Sequence, residues 1–138
     1  MSYGSAAGVG ELSALYSDNG SFTVSTTPTL TTVNTWLAQV SALVDTALAD
    51  EGFTVPIVVA GIVQELDLLV NGIVKDLVDW SHGAGRFFTE HALEAGLSPF
   101  MTIDKEVHAW VQRKSVGLEN QGVPKTETGR QVASFDLL

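Results

Sequence analysis

Three histidines, His82, His91 and His108, are the side chains of this sequence best suited to hold a metal or move a proton near neutral pH. A helical metal centre sets its ligands one turn apart, as in Glu-x-x-His, and no Glu-x-x-His occurs. His82 lies in a glycine-rich break, His91 follows Glu90, and His108 comes two residues after Glu106. Cysteine is absent, which removes thiolate ligands and disulfides. Glu65 and Asp67 are two apart, so a helix points them away from each other and they do not form an acid–base pair. The pairs Gly8-Val9-Gly10 and Gly83-Ala84-Gly85 lack the third glycine or the Gly-Lys-Ser/Thr of a phosphate cradle. No Gly-x-Ser-x-Gly elbow occurs. Trp36, Trp80 and Trp110 fall on apolar helical stripes, where a core role is a better fit than a stacking platform for bases. No catalytic, metal or cofactor residue is nominated, and the expectation is a protein that is not an enzyme and works through its surfaces.

Those surfaces are set by helices. Pro56 to Trp80 predicts a central helix, with Val59, Ile62, Val63, Leu66, Leu69, Val70, Ile73, Val74, Leu77 and Trp80 on one broad apolar stripe. Gln64, Asp67, Asn71, Lys75, Asp76 and Asp79 fall on the other side. Through that polar side runs the line Gly61, Glu65, Leu68 and Gly72. Interior glycines each cost a helix about 1 kcal/mol relative to alanine, which is tolerable where another backbone comes close. The line is therefore expected to be a subunit or helix-crossing contact.

Thr29 to Glu51 predicts the second long helix, capped by Thr27 or Thr29, with Pro28 in or near its first turn and Gly52 at its end. Its core face is Val33, Trp36, Leu37, Val40, Leu43, Val44, Ala47 and Leu48. The opposite face carries Ala38, Ala42, Ala49, Thr35 and Thr46, with Asp45 its single charge before the last turn. That composition suits either a second interface or an unusually bland solvated face. Shorter helices are expected over Ser5–Tyr16, Arg86–Leu97 and Ile103–Leu118, the last capped by Thr102. The fold class is all-α: one helical domain over residues 1–118, built on two long helices at about 29–51 and 56–80. Residues 119–138 read as an extended C-terminal arm.

The arm has a linker's composition but carries Phe135, Leu137 and Leu138 as apolar anchors, with Lys125 and Arg130 as its bases. Residues from Val123 onward are expected to order on a second copy or a partner. Charge supports this. All seven lysines and arginines follow position 74, leaving residues 1–74 at −7 and the remainder at −2 of the total −9. Such a surface repels nucleic acid and suits a channel wall better than a binding site. No apolar window is long enough for a membrane span, and residues 1–16 lack a signal peptide's basic and apolar regions, so a protein kept inside the cell that makes it is expected.

The stretch TPTLTTVNTWLAQVSALVDTALADEGF (Thr27 to Phe53), followed by Pro56 and the long helix to Trp80, resembles the small helical head–tail adaptor (connector) proteins of tailed bacteriophages. The resemblance covers residues 5–118 in architecture and is specific over Thr27 to Pro56. It implies a non-enzymatic virion protein, made in the host cytoplasm, that multimerises, commonly into a ring of twelve beneath the portal. Such a ring extends the DNA channel without reading sequence and offers a platform to the next neck or tail protein. The C-terminal arm of that family often reaches the portal or a neighbouring copy, a role for Val123 to Leu138. The basic loops of some relatives are poorly matched here. The alternative, from a different class, is a generic helical protein-binding module such as a small cytoplasmic regulator.

Overall fold

A computed structural model describes residues 3–87 and 98–126, and four helices occur among them: α1 Ala6–Leu12, α2 Leu30–Asp50, α3 Ala60–Ser81 and α4 Pro99–Asn120. The chain is all-α over these residues, as the periodicity predicts. None of these helices is long and apolar enough to cross a membrane.

α2 starts because the Thr29 hydroxyl accepts from Thr32 N–H, and it stops at Gly52, whose φ of +89° only glycine adopts freely. It buries Val33, Leu37, Val40, Val44, Ala47 and Leu48 against α3's Ile62, Leu66, Val70, Ile73, Val74 and Leu77. Each such side chain contributes roughly 1.5–3 kcal/mol of hydrophobic stabilisation. Leu66 is at the centre of this core; Trp36 and Trp110 pack on its rim, half-buried.

Boundaries differ from the predicted ones where a side chain claims the backbone. Pro56 does not open α3: residues 53–59 stay outside the helix, because Ile57 is buried and its N–H donates to Tyr3 Oη at 3.0 Å. Thr27–Pro28 and Val55–Pro56 are cis peptides. α4 begins four residues before the predicted Ile103, since the Ser98 hydroxyl accepts from Phe100 N–H and Pro99 sits in the first turn. The helix expected over Arg86–Leu97 lies mostly outside the described residues; Arg86 and Phe87 form a turn.

The domain boundary also moves. α4 runs to Asn120, and the first residues expected to be a free arm belong to the body. Val123 is 4% exposed, Thr54 N–H donates to Pro124 O at 2.8 Å, and Thr126 N–H donates to Gly52 O at 2.7 Å.

Candidate functional site

Two helix faces remain uncovered by the described residues. On α3, Gly61 is exposed, and a Cβ built there would meet only Gln121 Oε1, at 3.8 Å. At Gly72 a Cβ would meet nothing within 4 Å. Between them Leu68 is 73% exposed, and Glu65 is paired with Lys114 at 3.3 Å. One turn beyond Gly72, Lys75 pairs with Asp79 at 2.7 Å. Nothing in the chain's own described packing requires glycine at positions 61 and 72.

The contrast with the N-terminal glycines is sharp. A Cβ at Gly10 would lie 2.0 Å from Gly20 O, and one at Gly8 would lie 2.4 Å from Asn71 Nδ2. These glycines let a strap, Tyr3 to Gly10, lie along one flank of α3. Gly4 N–H donates to Asp67 Oδ1 at 2.7 Å, and Ser5 N–H donates to Asn71 Oδ1 at 2.9 Å. Sequence reasoning placed Asp67 and Asn71 on a plain polar side and missed this docking. The signal was there in Gly8-Val9-Gly10 and in Tyr3, five residues before Gly8. Lys114 on α4 guards the other flank.

The second face is α2's. Thr31, Asn34, Thr35, Ala38, Gln39, Ala42, Thr46 and Ala49 are all at least partly exposed. Its single charge before the last turn, Asp45, turns inward and accepts a hydrogen bond from Tyr3 Oη at 2.6 Å. Burial and that carboxylate together push the Tyr3 phenol far above its ordinary pKa, so it stays a neutral donor. α2 therefore presents an outer surface of small, uncharged side chains.

The remaining predicted contact residues are placed differently. Val123 is core. Lys125 is engaged within its own chain, paired with Glu119 and lying 5.0 Å above the Phe53 ring. Arg130, Phe135, Leu137 and Leu138 lie outside the described residues.

The groups with chemical potential are tied into structure. His82 stacks on Tyr16 at 3.8 Å, with Nε2 2.7 Å from Thr27 O. His108 Nε2 lies 3.1 Å from Asp50 Oδ2 and its Nδ1 2.9 Å from Asp104 O, a link between α4 and the end of α2. The hydrogen bond to Asp50, then that to Asp104, raises its pKa. Asp104 and His108 stand i,i+4 on α4, with Nδ1 3.4 Å from Asp104 Oδ1. No cluster of metal-ligating side chains occurs among the described residues. A shallow hollow of about 180 Å³ between α3 and α4 is lined by Leu69, Ile73, Arg86, Glu106, Trp110 and Arg113. Arg86 is paired there with Glu106 and, at 2.5 Å, with Asp76.

No protein-family model, no curated protein and no solved structure matches the chain.

Proposed function

We propose that the chain is a structural adaptor that assembles head to tail with copies of itself. One observation carries this reading: two unlike uncovered faces lie on opposite sides of the body. α2 and α3 turn their buried stripes toward each other, so the exposed faces of both point away. One is flat and uncharged around Ala38 and Ala42; the other carries the Leu68 knob between Gly61 and Gly72. Contacts between different faces of identical copies generate rings when the rotation closes and filaments when it does not.

Together with the resemblance carried by Thr27 to Phe53, this supports a ring beneath the portal of a tailed bacteriophage. The ring would be a virion component joining head to neck and tail and lining the exit path of DNA. The strongly acidic first half of the chain suits a wall past which DNA slides.

The test is particle mass and electron microscopy of the full chain with and without a portal protein. A ring on the portal, lost in Leu68→Glu and in Ala42→Glu, is the expected result. A chain that stays monomeric beside the portal, yet captures a peptide helix, would replace the ring with the helical binding module.

A further inference from the structure

The outer face of α3 is ordered so that the helix complements a reversed copy of itself. Gly61, Glu65, Leu68, Gly72, Lys75 and Asp79 line the side of α3 opposite Val70, which is fully buried. Turning the helix end for end about the level of Val70 exchanges Leu68 with Gly72, Glu65 with Lys75, and Gly61 with Asp79. At 1.5 Å per residue, Leu68 and Gly72 sit about 3 Å either side of that level, and Glu65 and Lys75 about 7.5 Å. A protruding side chain is thus matched to a gap, and an acid to a base.

We infer that α3 pairs antiparallel with α3 of a second copy about a two-fold axis at Val70. Leu68 of each copy fills the gap over Gly72 of the other, and Glu65 of each faces Lys75 of the other. Three observations support this arrangement. The gap is open, since a Cβ at Gly72 has no neighbour within 4 Å, and the knob is free, with Leu68 73% exposed. The charges alternate: Lys75 already holds Asp79 at 2.7 Å and Glu65 holds Lys114 at 3.3 Å. Across the axis the order becomes Asp79, Lys75, then Glu65 and Lys114 of the partner subunit, with no like charges adjacent.

α1 lies along one side of α3 and α4 along the other, and the two-fold keeps each flank on its own side, with α1 of both copies on one side of the pair and α4 of both on the other. Leu12 and Leu15, 52% and 88% exposed, stand beside Lys75 and Asp79.

A pair built on one self-complementary face closes at two copies and cannot grow. It hides the Leu68 face that head-to-tail assembly would use, and so holds the free chain in a finite state. The inference does not depend on the ring reading.

The test uses the full chain and two charge reversals. The parent should sediment at micromolar concentration at twice the chain's 14.7 kDa. Glu65→Lys opposes two lysines across the axis at both pairing sites, and Lys75→Glu opposes two glutamates there. Each variant alone should therefore run as a folded monomer by sedimentation and circular dichroism. Mixed in equal amounts, the two should form a heterodimer, in which each of the two pairing sites joins one lysine of the first variant to one glutamate of the second. Gly72→Leu fills the gap and should also abolish pairing while staying helical. A parent that is monomeric or larger than a dimer overturns the inference. So does a dimeric parent whose two reversals fail to pair with each other, or one left dimeric by Gly72→Leu.

Discussion

Two glycines on different helices make opposite demands. Gly10 lies against the backbone carbonyl of Gly20, where an added methyl would sit 2.0 Å from oxygen and neither backbone is free to give way. Gly10→Ala should therefore cost roughly 1–3 kcal/mol in urea unfolding, in the range of overpacked sites. Gly72 faces open space, so Gly72→Ala should raise the stability of the isolated chain by about 1 kcal/mol through helix propensity alone. Equal effects at the two positions would contradict these placements. A third residue-scale expectation concerns pH. The pKa of His108 is raised above 6.5, first by its hydrogen bond to Asp50 and then by that to Asp104. The folded state thus binds the proton more tightly than the unfolded state. Its contribution is complete below pH 6.5 and disappears as pH rises through the elevated value. The side chain is a third exposed, so the effect is modest. The melting temperature should fall across that window in the parent, and the fall should flatten in His108→Gln.

At the scale of elements, the strap through Tyr3 ties three parts of the fold together. Its backbone N–H donates to Ser41 Oγ at 2.9 Å, and its hydroxyl donates to Asp45 while accepting from Ile57 N–H. Tyr3→Phe keeps the buried ring but strands the Ile57 N–H and the Asp45 carboxylate. It should cost about 1–3 kcal/mol, with hydrogen exchange at Ile57 accelerating most. An unchanged exchange rate at Ile57 would mean that the phenol is not its acceptor. α2 and α3 were legible in the sequence because their apolar stripes keep a 3.6-residue period over five or more turns. Their ends were less so. Pro56 is a good helix opener by local rules, and only the distant Tyr3 explains why the helix waits until Ala60. On α2 the run of Thr35, Ala38, Ala42 and Thr46 was legible as an outer face poor in charge, and these residues are exposed. Asp45 was misread as a surface charge, because its partner is 42 residues away. Asp67 and Asn71 were misread for the same reason.

At the scale of the whole molecule, the body includes residues 121–126. Truncation after Leu118 removes buried Val123 and the two backbone bonds to Thr54 and Gly52, all of which truncation after Thr126 keeps. The shorter product should melt several degrees lower, since each 1 kcal/mol lost moves a domain of this size by about 4 °C. Matching melting curves for the two truncations would return residues 119–126 to the arm. The strap has a further consequence, for the order in which the chain is made. Ser5 finds its acceptor on Asn71, 66 residues further on. At about 5–20 residues per second of synthesis, the N-terminal segment waits on the order of 3–13 s before its groove exists. During that interval Tyr3 and the glycines after it are available to whatever meets the nascent chain first, and every molecule begins its life with the strap undone.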